Sequence, residues 1–336
     1  MTNRDRREWR IILGTGIASA LVSGWFGASM ADDEHFWRGV AQGVLGSLLI
    51  ATPIVYVETK SARIALTRRL RRLPLVAYFA IKLLFYLVVI VTGMTLTRVL
   101  LALPFDWETF RDAFVFAVIM SVIGNVVFDL GGLLGFDTLR NLLTGRYVHP
   151  RKVTRAFLLI DMKDSTGHAE RLGAVRFHEL LNTFFRDISD AALECDAEIH
   201  KYVGDEAILT WSDERAIRDG SCLACPFAVR DAIARNAAHY RKRFNAVPEF
   251  RAALHHGEIV AGEIGDVRRE IAYVGDTLNV AARLLEAAKE LKRDVLASAE
   301  LLERSTLPPG VRSEGLPTLS VRGRAAPLGV SALVAS

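Results

Sequence analysis

The chain has 336 residues, 51% of them hydrophobic, with a mean hydropathy of +0.24 and a net charge of only +4. The length fits two domains better than one, and the arginines cluster beside apolar runs, where membrane topology explains them more simply than a nucleic-acid partner. Three cysteines, Cys195, Cys222 and Cys225, argue against a disulfide framework. Cys222-Leu223-Ala224-Cys225 has thiol-redox or half-zinc spacing, but no second pair completes it, so these thiols read as small buried residues of a helix.

The apolar excess lies in four runs: Ile11 to Met30, Val40 to Val57, Leu75 to Leu101 and Ala113 to Phe136. Each is close to or above the roughly 20 residues that cross a bilayer core. The first follows Arg4, Arg6, Arg7 and Arg10 and could serve as a signal peptide cleaved near Ala28–Ala31, but its length suits a span better. A soluble bundle would show polar faces at helical spacing, and these runs do not. Lys60, Arg63, Arg68, Arg69, Arg71 and Arg72 lie between the second and third runs. The other two loops carry Asp32, Asp33 and Glu34, then Asp106 and Glu108. The positive-inside rule therefore places the N-terminus, the basic loop and everything after the fourth run in the cytoplasm, in a multi-pass protein of the inner (plasma) membrane. Trp25, Trp37 and Trp107 lie near span ends, as interfacial aromatics do.

Two charges fall inside the spans. Lys82 and Asp129 each lie about seven residues from a cytoplasmic end, roughly 10 Å deep at 1.5 Å per residue. Asn125 is one turn further in, on the face of Asp129. An unpaired charge at this depth costs at least about 2.5 kcal/mol, so pairing of Lys82 with Asp129 inside the bundle is the expected arrangement.

The sequence divides into a membrane domain over 1–137, a juxtamembrane linker over 138–154 and a further domain over 155–336. In the linker, Thr144-Gly145-Arg146-Tyr147 ends a short helix, and Arg146, Arg151, Lys152 and Arg155 are placed to meet anionic lipid. Beyond it strands and helices alternate: strand 155–161, helix 167–194, hairpin 198–211, helix 219–243, strands 249–257, 259–264 and 269–274, helix 277–290, and short strands from 294. A β-α-β-β-α-β core of ferredoxin-like α+β type is the architecture this order predicts.

Three segments of this domain carry chemistry. In Phe157-Leu158-Leu159-Ile160-Asp161 four apolar residues and then an acid read as a buried strand delivering a carboxylate to its C-terminal edge. Ser165 or Thr166 is placed to cap the helix that follows. In Glu198 to Leu209 a hairpin turns at Gly204-Asp205, setting a second acid at its tip. Two acids on adjacent strand ends, beside free backbone N–H groups, form a site for a divalent cation carrying a polyphosphate. In the third segment, Ala272 to Arg283, Asn279 and Arg283 lie one helical turn apart and project from one face.

Taken in this order, the three segments resemble the class III adenylyl/guanylyl cyclases over about residues 150–336. The resemblance implies that Asp161 and Asp205 hold Mg2+ or Mn2+, two ions per site, with the Met162 carbonyl as a backbone ligand. It implies that Lys201 selects the purine by donating to adenine N1. The family's second selector stands seven residues before the Asn; here that position is Ala272, which has no hydrogen-bonding side chain. Asn279 would orient the ribose and Arg283 would stabilise the charged α-phosphate in the transition state, with Ser165 and Thr166 in the phosphate-facing turn. Arg322, in Ser320-Val321-Arg322-Gly323, would reach the terminal phosphates in place of the usual Lys. Gly257 and Gly262 match a glycine-bearing hairpin. The family draws its metal acids from one subunit and its Lys, Asn and Arg from the other, so the resemblance implies a homodimer through this domain. The function it predicts is a membrane-bound adenylate cyclase making 3′,5′-cyclic AMP and pyrophosphate from ATP. The alternatives are a guanylate cyclase, which would want an acid at Lys201, and a non-catalytic nucleotide-binding signalling protein of the membrane.

Overall fold

Four long helices form the apolar part of the chain: α1 (Asn3–Ser29), α2 (Phe36–Lys60), α3 (Leu75–Leu100) and α4 (Trp107–Leu134). All four are long and apolar enough to cross a membrane. The computed structural model describes residues 3–32, 35–60, 70, 73–212, 217–267, 269–319 and 327–335. Its contacts divide the chain into two units, Met1–Phe136 and Asp137–Ser336. Most of the basic loop, with Arg63, Arg68, Arg69, Arg71 and Arg72, lies outside the described residues, as do Asp33 and Glu34. Helix α4 starts six residues before its apolar run because Asp106 caps it, its carboxylate accepting the Thr109 N–H at 2.7 Å. Helices α1 and α2 touch backbone to backbone: a β carbon on Gly43 would lie 1.9 Å from the Ser23 carbonyl oxygen.

Lys82 pairs with Asp129, as its depth requires, but it does so within a larger cluster. Its ammonium lies 3.1 Å from Asp129 Oδ1 and 3.1 Å from Glu58 Oε1, and the Tyr86 hydroxyl donates to Glu58 at 2.7 Å. Glu58 sits near the end of α2, where an acid reads as a boundary residue and gives no sign of pairing across the bundle. One cation thus serves two carboxylates in a setting that solvates none of them. Replacing Lys82 with Met is expected to destabilise the membrane unit by about 3 kcal/mol. Adding Glu58→Gln and Asp129→Asn to Lys82→Met should restore most of that loss. Thermal unfolding of the detergent-solubilised chain checks this, and a triple variant no more stable than the single one would overturn it.

The second unit begins with α5 (Phe136–Leu143) and continues through β1 (Arg151–Met162), α6 (Ser165–Leu172) and α7 (Ala174–Glu194). The hairpin β2 (Glu198–Val203) and β3 (Glu206–Ser212) comes next, then α8 (Ser221–Arg235), α9 (Ala237–Phe244), β4 (Phe250–Ile264), β5 (Glu270–Val274) and α10 (Asp276–Glu290). The chain ends with β6 (Val295–Ser298), α11 (Ala299–Leu302), β7 (Val311–Leu319) and β8 (Leu328–Ala335). The sheet runs β2-β3-β1-β4-β6-β8-β7, with β5 added to β4. Its first four strands, with α7 and α8, make the expected β-α-β-β-α-β core, extended on one side.

Strand β1 is central and hydrogen-bonds to β3 and β4 on either edge. Ala156, Leu158, Ile160 and Met162 face the core shared with α7 and α8, while Phe157 and Leu159 face α10. Residues 156 to 160 are buried, so the alternation of a half-exposed strand is absent, as the apolar run predicted.

Several local expectations are corrected. Helix 167–194 breaks at Gly173, which takes φ 74° and ψ 160°, a conformation open to glycine alone. Helix 219–243 breaks at Asn236, and α9 beyond the break is tied to α7 by the Tyr240 hydroxyl donating to Asp187 at 2.7 Å. The two strands expected over 249–264 are one, β4, because Gly257 is a close approach rather than a turn: a β carbon there would lie 2.8 Å from Thr277 Oγ1 at the start of α10. Strand β1 starts at Arg151, and the residues read as linker pack on the second unit. Tyr147 is buried, with its carbonyl accepting the Glu263 N–H at 2.9 Å. Arg155, expected to meet lipid, is only 6% exposed and pairs with Glu198 at 2.9 Å. The three cysteines are buried, and burial pushes the Cys222 thiol up to about 11, which leaves it inert.

Candidate active site

The site starts where β1 ends. Backbone pairing sets Asp161 opposite Glu206 on β3 and opposite Arg251 on β4, so strand register alone brings an acid to each side of the hairpin tip. Gly204, with φ 61°, closes the turn that carries Asp205 against Asp161. Burial first, then the Asp205 charge and a hydrogen bond shared between the two carboxyl groups, pushes Asp161 up to about 6. Arg251 and Lys289 oppose that rise. Burial and the charges of Asp161 and Asp205 push Glu206 up to about 7. Met162 buries its side chain at 2% exposure, so its backbone carbonyl is the group it can offer.

Sequence reasoning placed a cap at Ser165 or Thr166. The cap position is Asp164 instead, in the left-handed region at φ 53°, and it makes no side-chain cap hydrogen bond. Its carboxylate turns to Arg171 at 3.3 Å. Ser165 and Thr166 form the first turn of α6, whose backbone amides stand beside the strand end free of a side-chain cap.

The other predicted residues stand apart. Asn279 and Arg283 occupy the solvent face of α10, opposite the stripe of Val280, Ala281, Leu284 and Leu285 that packs on the sheet. Arg283 donates to Glu286 at 2.7 Å. Lys289, which acts on Asp161, is six residues beyond Arg283 and ten beyond Asn279, about 9 and 15 Å along the helix. Lys201 is half-exposed on β2 and pairs with Glu270 on β5 at 3.2 Å. Ala272 lies two residues further along β5, opposite Gly262. Arg322 lies outside the described residues. Sequence reasoning missed Glu206, Arg251, Lys289 and Glu270. Glu270 alone left a signal, since the period of two along a strand puts it on the face of Ala272.

Residues 149–326 match the family model described as the adenylate and guanylate cyclase catalytic domain. The chain belongs to the adenylate and guanylate cyclase family. Adenylate cyclase 2 of Rhizobium meliloti (strain 1021) is 35% identical over 333 residues, 97% of this chain and 88% of that protein. Adenylate cyclase 1 of the same strain is 28% identical over 193 residues, 56% of this chain and 28% of that protein. A bacterial light-regulated adenylyl cyclase shares the fold at a TM-score of 0.55 and 15% identity, over 68% of this chain and 66% of that one.

For a cyclase the donor set fits a divalent ion. Among the described residues no three His, Cys, Asp or Glu side chains are grouped to hold a metal by themselves. Two carboxylates pressed together, with a main-chain carbonyl beside them, instead match Mg2+, which takes one or two carboxylates and completes its shell with phosphate oxygens and water. The crowding of acids supports the fit: burial and then the neighbouring carboxylates raise Asp161 and Glu206, and a bound cation would offset both causes.

A pH dependence follows. An acid whose folded pKa is raised stabilises the fold below its unfolded pKa and loses that contribution as pH rises through the folded value. In EDTA, the melting temperature of the cyclase unit should therefore fall between about pH 4 and pH 7, the window of Asp161 and Glu206. Asp161→Asn should flatten that fall, and Mg2+ should raise the native protein at pH 8 but not the variant. Calorimetry at several pH values is the check; a native melting temperature that rises across this window would contradict the assignment.

Proposed function

We propose that the protein is a membrane-bound adenylate cyclase that converts ATP to 3′,5′-cyclic AMP and pyrophosphate at sites shared between two copies of the chain. One observation carries the reading: the two halves of the site do not meet within a single chain. Asp161 and Asp205 converge at the end of β1, near Lys289, whereas Asn279 and Arg283 face solvent from the first turn and the middle of α10. A two-fold dimer brings the outward face of one α10 to the acids of its partner and makes two equivalent sites.

Asp161, Asp205 and the Met162 carbonyl would hold two ions, Mg2+ or Mn2+, at each site. When bound, these ions neutralise charge on the triphosphate and lower the pKa of the ribose 3′-hydroxyl. Every other role belongs to the chain. The first-turn amides of α6, with Ser165 and Thr166, take phosphate oxygens. Asn279 of the partner fixes the ribose so that its 3′-oxygen lines up with the α-phosphorus. As the 3′-oxygen bonds to the α-phosphorus, its proton passes to water, the bond to pyrophosphate breaks, and the partner's Arg283 leaves Glu286 to meet the charge on the α-phosphate oxygens. Lys201 donates to adenine N1, and guanine would present an N1–H donor there instead. Loop charges support an inner (plasma) membrane location with this unit in the cytoplasm.

Purified chain should form cyclic AMP from ATP with Mg2+ or Mn2+, and little cyclic GMP from GTP. Asp161→Asn, Asp205→Asn and Arg283→Ala should each lower turnover about 100-fold or more. Co-expressing Asp161→Asn with Arg283→Ala should return about a quarter of native activity, because half the dimers are mixed and each has one intact site. Mixed dimers that form and stay inactive would overturn the shared site. A chain that forms no cyclic nucleotide with either metal would overturn the activity itself.

A further inference from the structure

Ala272 leaves the base-reading part of the proposed site one hydrogen-bonding group short. Lys201 can donate to the Watson–Crick edge of a purine, but adenine also presents an exocyclic amine that needs an acceptor. The nearest acceptor on the same face of β5 is Glu270. Its two carboxylate oxygens lie 3.2 and 3.4 Å from the Lys201 ammonium. Residues two apart on a strand share a face about 7 Å apart, and a glutamate side chain covers much of that distance.

The scaffold around the pair is built to keep it. Strand β2 carries an irregularity between Ile199 and Lys201, and His200 is the residue left out of the ladder. The His200 ring packs on Tyr273 of β5 with centroids 4.7 Å apart, and the Arg155 guanidinium lies 5.4 Å from the same ring on its way to Glu198. Burial, and then the Lys201 charge, holds His200 down to about 4, so the ring packs as a neutral group. Lys201 and Glu270 themselves stay half-exposed, at 49% and 44%, and so remain open to a ligand. An exposed pair of this kind adds little stability, which leaves recognition as the use for so firm a frame.

We infer that Glu270 is the second purine-reading group of this cyclase, accepting a hydrogen bond from the adenine 6-amino group while Lys201 donates to N1. The inference rests on the adenylate cyclase reading above. Adenine asks one lone pair of the carboxylate, so the pair with Lys201 stays whole. Guanine would ask for two, from its N1–H and 2-amino group, and both oxygens already lie on the ammonium. Recognition of adenine therefore keeps every partner, and recognition of guanine strips Lys201 of one.

Purine riboside 5′-triphosphate, which is ATP without its 6-amino group, isolates the contact. With the full-length protein in detergent, native kcat/KM should favour ATP over this analogue by about 10- to 100-fold, the range of a hydrogen bond to a charged group. Glu270→Ala and Glu270→Leu should bring the ratio to within about threefold, mainly by lowering kcat/KM for ATP. Glu270→Gln keeps an acceptor oxygen and should retain most of the preference. Glu270 acting only by steadying Lys201 would lower both substrates together and leave the ratio at its native value, which overturns the inference. A native enzyme that prefers GTP, with that preference lost in Glu270→Ala, also overturns it and assigns the carboxylate to guanine. If the native chain cyclises ATP and the ratio resists all three substitutions, this inference alone fails. If it cyclises neither nucleotide, the reading beneath it fails as well.

Discussion

Two acids crowd together at the end of a buried strand, and the backbone of the catalytic unit holds them there. Asp161 is tethered to a strand whose residues 156 to 160 are buried on both faces and hydrogen-bonded on both edges. Asp205 is tethered to a hairpin whose register with that strand is fixed over seven residue pairs. Neither acid can retreat without moving the centre of the sheet. Burial first, and then the neighbouring acids, raise the proton affinity of Asp161 and Glu206. On the proposed reading, a doubly charged cation would settle that crowding.

The membrane unit meets the same problem with the opposite means. There one lysine stands between two carboxylates, Glu58 and Asp129, and no bulk water is available to share the charge. In the catalytic unit Arg251 and Lys289 offset the paired acids only in part; in the membrane unit one lysine touches both carboxylates. The difference follows from the surroundings, since a polar cleft can wait for an ion and a bilayer cannot.

Much of this was readable from residues alone because the informative segments are local. Phe157 to Asp161 is a run of apolar residues ended by an acid, and Asn279 and Arg283 are fixed by the pitch of one helix. What the sequence concealed depends on contacts across the sheet or the bundle. Gly257 looked like a turn because glycine permits one, yet it is glycine so that Thr277 can come close. Arg155 looked like a lipid-facing cation because it follows three other basic residues, yet a strand that begins at Arg151 turns it inward to Glu198. Glu58 and Glu270 each find a lysine on another element; spacing puts Glu270 on the face of Ala272 but does not reveal its pairing with Lys201. Arg322 lies beyond the described residues, so its place stays as the resemblance had it.

Tyr147 gives the arrangement a direction. Its hydroxyl accepts from Arg155 at 3.3 Å, and the same guanidinium covers Tyr273, whose ring holds His200 beside Lys201. The point where the chain enters the catalytic unit is thus linked through Arg155 and Tyr273 to the strands proposed to read the base. A tug arriving along the chain at this tyrosine would loosen the grip on the purine before it disturbed the reacting phosphate. Control exerted from that end would be written in how well the enzyme holds its nucleotide, with the speed of the chemical step left largely as it was.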